Sequence, residues 1–345
     1  MPDQQAVLTA LARVQDPELH RDIVSLNMVR SLTVEGGRVA FELVLTTPAC
    51  PLRETIDRDV RAALADVPGI ETIDIDWGAE VRGAAAREGG PKPVAGVKNI
   101  IAVASNKGGV GKSTVSTNLA VALARLGAQV GLLDADITGP NVPTMLGIEQ
   151  GALAEGTGGL HTIEAHGVRA ASIGFVLPKG TPVVWRGPMI GSGVRQLLHD
   201  VDWGELDYLI IDLPPGTSDA SMSMVQEAPI AGVVIVSTPQ KVAVEDATKA
   251  VGMFDRLGVP IFGVVENMSS EMFGRGGARL AADELGVEFL GSIELNASIR
   301  EGADTGQPVV VSRPDSPEAQ AFLRLAEQVA ARCSVLRYAG DAAVA

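Results

Sequence analysis

Two lysines, three glycines and a serine crowd into eight residues, Asn106-Lys107-Gly108-Gly109-Val110-Gly111-Lys112-Ser113. Glycine admits the turns that aim successive backbone N–H groups at one point, and such a nest attracts anions. Lys112 adds a point charge suited to β- and γ-phosphate oxygens, and Ser113 adds a hydroxyl suited to Mg2+. An apolar run, Ile100–Ala104, precedes the loop and reads as a buried parallel strand; Thr114–Leu126 follows and reads as a helix. The helix N-terminus adds its own donors and dipole to the anion site. Strand, glycine-rich loop and helix with Gly-Lys-Ser at its mouth make the P-loop layout, with Asn106 to Thr114 as the nucleotide-binding stretch. Asn106 stands where the pattern usually has its first glycine, and Lys107 follows it at once.

Such a loop needs carboxylates for its metal, and two strand ends offer them. Leu206–Asp212 is very apolar and closes in Asp212-Leu213-Pro214-Pro215-Gly216-Thr217. An aspartate in that position holds Mg2+, usually through water, while the Pro-Pro-Gly turn can sense the γ-phosphate through backbone groups. Gln129–Asp134 reads as another buried strand, running into Asp134-Ala135-Asp136-Ile137-Thr138-Gly139-Pro140-Asn141. Ligands bind at the carboxyl edge of such sheets, although two aspartates there also suit simple capping. A third strand, Ile261–Glu266, ends in Asn267-Met268, where the Asn side chain could equally cap the strand end. Cys50 precedes the predicted helix Arg53–Ala65. A helix N-terminus there would favour thiolate, and a small buried hydrophobe is the other reading.

The elements that position these groups follow from periodicity. Gln4–Val14 and Arg53–Ala65 carry apolar residues at helical spacing, and Ser31–Val34, Arg38–Leu45 and Gly69–Asp76 read as strands. That is a small α-β-β-α-β domain over residues 1–82. Residues 83–98, rich in Ala, Gly and Pro, read as a flexible linker. From 99 to 345 apolar strands alternate with helices: Val168–Ala171, Pro182–Trp185, Ala231–Ser237 and Phe289–Ile293 among strands or short elements, Ile190–Leu198, Val242–Leu257, Gly277–Leu285 and Pro317–Leu336 among helices. The fold class expected is α/β, a P-loop NTPase with a mostly parallel, doubly wound sheet. The chain has 345 residues, 46% hydrophobic and only 3% aromatic, which suits tightly packed α/β layers. A net charge of −14 speaks against non-specific binding to nucleic acid or anionic membrane. Two distant cysteines, Cys50 and Cys333, imply no disulfide framework, and the first residues show no basic-then-apolar signal pattern; a cytoplasmic setting is expected.

The motifs SNKGGVGKSTVSTNLA, LLDADITGPNVPTMLG, WRGPM, DWGELDYLIIDLPPGTSD, STPQ, VVENMS and FLGSI, with DPEL and TTPACPL near the start, together resemble the Mrp/ApbC family of P-loop ATPases. These belong to the MinD/ParA/nitrogenase-iron-protein class, whose "deviant" P-loop carries the extra lysine, and they serve as iron–sulfur cluster carriers or scaffolds. The resemblance implies slow, Mg2+-dependent ATP hydrolysis by a homodimer that closes over its nucleotides. It implies that Lys107 reaches the nucleotide of the second subunit, where the residue could otherwise be a solvated loop lysine. Asp136 would position the attacking water, and Asp134 would support Mg2+ and the P-loop. Asn267 would read the adenine edge, since an amide both donates and accepts. The N-terminal part is similar to a domain of iron–sulfur assembly factors in which the cysteine before the helix, here Cys50, is often reactive. Partners would be iron–sulfur apo-proteins or assembly factors. One departure matters: most members carry a CxxC just after this ENMS motif, and four such thiolates from two subunits hold a bridging [4Fe–4S] cluster. Here Asn267 to Gly277 contains no cysteine. Two other readings therefore stay open, a nucleotide-switched adaptor for apo-protein clients and a MinD/ParA-like spatial ATPase.

Overall fold

The computed structural model describes residues 2–83, 90–137, 139–149, 161–176, 187–216, 224–225 and 227–342. They fall into two compact units, Met1–Arg82 with Ala330–Ala345, and Gly83–Val329.

In the first unit, α1 (Gln4–Leu11) starts on Asp3, whose carboxylate accepts the Ala6 N–H at 2.7 Å. The strands β1 (Gln15–Asp16) and β2 (Arg21–Asp22) form a short antiparallel ladder that apolar patterning does not reveal. β3 (Val29–Glu35) pairs antiparallel with β4 (Arg38–Leu45), and β4 pairs parallel with β5 (Thr72–Ala79). Between β4 and β5 lies α2 (Arg53–Ala65), with the bounds its periodicity predicts. Ile56, Val60 and Leu64 recur every four residues on one face of α2. They meet Val39, Phe41 and Leu43, which alternate along β4, in a single core.

The turn between β1 and β2 holds a titratable group. Asp16 accepts the Glu18 and Leu19 N–H groups at 2.9 Å each. Burial, and then the Asp16 charge, push the Glu18 carboxyl up to about 7. Glu18 therefore keeps its proton in the folded chain where the unfolded chain has lost it. Its contribution to stability is full below about pH 4.3 and is lost as pH rises to about 7. Melting curves between pH 4.5 and pH 8 should show this slope in the wild type and a flatter one in Glu18→Gln.

The second unit is built on an eight-stranded sheet ordered β13-β12-β11-β6-β10-β7-β9-β8. Its strands are β6 (Val97–Ala104), β7 (Val130–Asp134), β8 (Ile163–Ala165), β9 (Val168–Ser172), β10 (Leu206–Asp212), β11 (Ile230–Ser237), β12 (Ile261–Ser269) and β13 (Phe289–Glu294). All neighbours are parallel except β8 and β9. The expected P-loop NTPase fold, with a small domain before it, is the one observed. Val94 is buried and Val97-Lys98 open β6, so the end of the linker expected over residues 83–98 is part of this unit's structure.

Helices cover both faces, which is why the strands read as unbroken apolar runs. Ile100 and Ala102 of β6, Leu209 and Ile211 of β10 and Val264 of β12 share a core with α5 (Gly187–His199), α6 (Lys241–Arg256) and α7 (Gly277–Leu285). Strand residues of the other parity lie against α3 (Lys112–Arg125), which packs on β6, β7 and β10. Three short or late helices follow the sheet strands: α4 (Val142–Met145), α8 (Ala297–Thr305) and α9 (Val309–Ser312). The chain ends in α10 (Pro317–Ala342). From Ala330 onward α10 groups with the first unit, because Tyr338 packs on that unit's core and lies 4.1 Å beneath the Arg82 guanidinium. The expected element Pro182–Trp185 lies outside the described residues, as do Thr138, Arg186 and Thr217 of the quoted motifs. Among the described residues no helix is long and apolar enough to cross a membrane.

Candidate nucleotide site

β6 is flanked by β10 on one side and β11 on the other, and the glycine-rich loop leaves its carboxyl end. Ser105 anchors the base of the loop, its hydroxyl donating to the Lys107 carbonyl at 3.0 Å and its own carbonyl accepting the Gly216 N–H at 2.9 Å. The loop after β10 is thereby tied to the loop after β6. Gly109 and Gly111 take φ of +83° and +80°, and Gly111 is the left-handed N-cap of α3. The helix starts at Lys112, earlier than periodicity alone predicts, because the Gly-Lys-Ser turn is itself its first turn. Nothing lies within 4 Å of where a Cβ would stand on Gly108 or Gly109, so the nest is open on its outer side. Lys107 is exposed, Asn106 and Ser113 are half-buried, and Val110 is buried.

The charged centre is buried. Lys112 Nζ lies 2.6 Å from Asp212 Oδ1 and 3.3 Å from Ser113 Oγ. The same Asp212 oxygen lies 2.6 Å from Ser116 Oγ, which also bonds the Lys112 carbonyl one turn back. Asp212 Oδ2 is buried without a hydrogen-bond partner. In the parallel register Asp212 stands beside Asp134, at the end of β7. Asp134 has both oxygens occupied: Oδ1 accepts the Asp136 N–H, and Oδ2 accepts the Val142 N–H and the Ser172 hydroxyl, each at 3.2 Å. Burial, followed by the Asp212 charge, pushes the Asp134 carboxyl up to about 8, with Lys112 pulling it back. Asp134 thus braces both ends of the loop that carries Asp136. Asp136 is half-buried, and its own carboxylate accepts the Gly139 N–H at 3.3 Å.

Lys112, Ser113, Asp134 and Asp212 are therefore brought together as the sequence suggests, with Asp136 on the adjoining loop. An orphaned Asp212 oxygen, with the Ser113 hydroxyl 3.3 Å from the lysine that pairs with the same aspartate, fits Mg2+, which takes few protein oxygens and keeps several waters. Ser116 and Ser172 are members of the network that motif reading misses. Helical spacing could have found Ser116, four residues after Lys112; Ser172 needed the pairing of β9 with β7. Asn267 reaches the loop from the other side of β6. Its Nδ2 donates to the Val110 carbonyl at 2.9 Å, and a Cβ on Gly111 would stand 2.2 Å from that nitrogen. Gly111→Ala should therefore lose nucleotide affinity about fivefold or more, since the left-handed strain alone is worth about 1–3 kcal/mol; titration with a fluorescent ATP analogue measures it.

Cys50 lies in the first unit, two residues before Leu52 caps α2, half-buried against that unit's core. Cys333 is buried in α10, where burial pushes its thiol up to about 12. After β12 the chain closes into a turn, with Ser270 N–H bonded to the Gly274 carbonyl at 3.0 Å and Phe273 N–H to Ser270 Oγ at 3.1 Å. Among the described residues no group of three or more His, Cys, Asp or Glu side chains is placed to hold a metal ion.

By its sheet order and by the seating of Lys112 against a strand-terminal aspartate, the molecule is a P-loop NTPase. Residues 96–330 match the family described as NUBPL iron-transfer P-loop NTPase, and residues 4–77 match the iron–sulfur cluster assembly protein family. An iron–sulfur cluster carrier protein of Synechocystis is 48% identical over 347 residues, covering 96% of this chain and 98% of the relative. One of Escherichia coli K12 is 39% identical, covering 94% and 91%. Among solved structures, an ADP-bound nucleotide-binding protein of Archaeoglobus fulgidus is 37% identical, with a TM-score of 0.56 over 66% of this chain and 92% of that one. The cell division ATPase MinD of Pyrococcus furiosus is 27% identical with a TM-score of 0.53, over 67% and 98%. The chain belongs to the Mrp/ApbC-type family of iron-transfer P-loop NTPases.

Proposed function

We propose that the chain is a Mg2+-dependent ATPase that works as a nucleotide-gated homodimer and carries or helps assemble iron–sulfur clusters. The observation that carries the ATPase reading is Asp212: one oxygen takes Lys112 and Ser116, while the other is buried with no protein partner. In this reading the nest from Asn106 to Thr114 and Lys112 hold the phosphates. Ser113 and Asp212 hold the metal, and Asp134 supports it by bracing the neighbouring loop. Mg2+ would supply neutralising charge at the β- and γ-phosphates. Asp136 orients the attacking water, Asn267 reads adenine, and Lys107 crosses to the nucleotide of the second subunit. Loss of the γ-phosphate then frees the loops after β7 and β10, which loosens the dimer.

The division of labour follows the two units: residues 1–82 with the end of α10 face cargo or client, and the unit that carries the P-loop runs the ATPase. The relatives' name, iron–sulfur cluster carrier protein, supports the cluster as cargo. Cys50 is the point of contact proposed for it, and iron–sulfur apo-proteins or assembly factors are the partners. A second reading, a nucleotide-switched adaptor with no cluster of its own, is favoured by the cysteine-free turn after β12. Phosphate release from ATP tests the ATPase itself. Slow turnover that requires Mg2+, and that falls about 100-fold in Asp212→Asn, is expected; no Mg2+-dependent release from the wild type refutes it.

A further inference from the structure

β12 does not stop at its apolar run. It continues through Glu266-Asn267-Met268-Ser269, and the register against β13 shifts between Glu266 and Ser269. Glu266 pairs with Ser292 and Ser269 with Glu294, so β12 carries one residue more than its partner there. Met268 absorbs the extra length at φ +58°, an uncommon value for a side-chain-bearing residue. Bulges of this kind re-aim side chains, and this one aims Asn267 at the P-loop, where it bonds Val110.

A strained bulge must be held, and Glu266 holds it. The side chain is fully buried, yet both carboxylate oxygens are satisfied: Oε1 accepts the Gly276 N–H and Oε2 the Ala278 N–H, each at 2.9 Å. These donors are the N-cap and the first turn of α7, where a negative charge also meets the helix dipole favourably. Glu266 thus locks β12 to α7 at the residue preceding Asn267. The two neighbours serve opposite sides of the strand, one tied to α7 and the other to the nucleotide loop.

We propose that Glu266 is a positioning residue for base recognition: by fixing the bulge it sets where the Asn267 amide stands, and so how well the site tells adenine from guanine. This rests on the reading of Asn267 as the adenine reader. Glutamine at 266 accepts one N–H but turns its own NH2 against the other, and aspartate is too short to reach both.

The test compares dissociation constants for ATP and GTP, by competition with a fluorescent ATP analogue, in wild type, Asn267→Ala, Glu266→Gln and Glu266→Asp. Wild type should prefer ATP, and Asn267→Ala should erase the preference. Glu266→Gln should reduce the preference about tenfold, equivalent to about one misplaced hydrogen bond. A purely structural role weakens both nucleotides alike and leaves their ratio intact. If Glu266→Gln does not accumulate as folded protein, Glu266→Asp reads the same ratio. An unchanged ratio in the Glu266 variants beside a collapsed ratio in Asn267→Ala overturns this inference alone. An unchanged ratio in Asn267→Ala overturns the adenine reading, and the inference with it.

Discussion

Lys112→Ala should abolish saturable ATP binding and also destabilise the chain, more at alkaline pH than at acid. Lys112 is the cation that faces the buried Asp212, itself next to the fully buried Asp134. Removing one partner of a buried pair leaves an uncompensated charge, at a cost of about 3–5 kcal/mol. Asp134 sets the pH dependence. Folded, its carboxyl keeps its proton up to about pH 8; unfolded, it releases it near the ordinary aspartate value of about 3.9. Its neutral form therefore favours folding below about pH 4, and that advantage drains away as pH rises to about 8. Lys112 holds the Asp134 pKa down, so its loss drives it higher and steepens the fall. Thermal melts at pH 6 and pH 8, with ATP titrations beside them, measure both effects. A variant that binds ATP normally, or whose deficit is the same at both pH values, contradicts the placement of Lys112 at the centre of the site.

The second large effect is expected at Lys107. This lysine is exposed on the loop, and its carbonyl, not its ammonium, takes the Ser105 hydroxyl. Lys107→Ala should therefore melt close to wild type and bind ATP, yet hydrolyse it about 100-fold more slowly. Charges supplied in trans by arginine fingers are worth about 10³–10⁵, and a lysine, a point charge without the planar fork, gives less. Turnover per subunit should rise with protein concentration in the wild type and stay flat in the variant. Equal turnover in both removes the role in trans.

The parallel strands were legible because each is buried on both faces and so reads as an unbroken apolar run; β10 and α7 have the bounds that periodicity predicts. The phosphate loop and Asp212 were legible because their chemistry restricts residue type at fixed spacing. What stayed hidden depends on partners far away in the chain. Ser116 meets Asp212 across 96 residues. The continuation of β12 is written in Asn, Met and Ser, none of them a β-branched or aromatic strand former and Asn depleted in strands, and only its pairing with β13 explains it. Tyr338 sits on a helix whose periodicity says nothing about which unit receives its end. Cys50 was visible as a candidate before α2, but the core it packs against was not.

The proposed handling of iron–sulfur clusters has to proceed without the usual thiolate pair after β12. Anaerobic reconstitution with iron and sulfide, followed by counting both and recording the visible spectrum, tests it most directly. Bound iron and sulfide in equal amounts are expected, with charge-transfer absorption in the wild type that is lost in Cys50→Ser. Wild-type protein that retains no iron, or a Cys50→Ser variant that retains it undiminished, would contradict it.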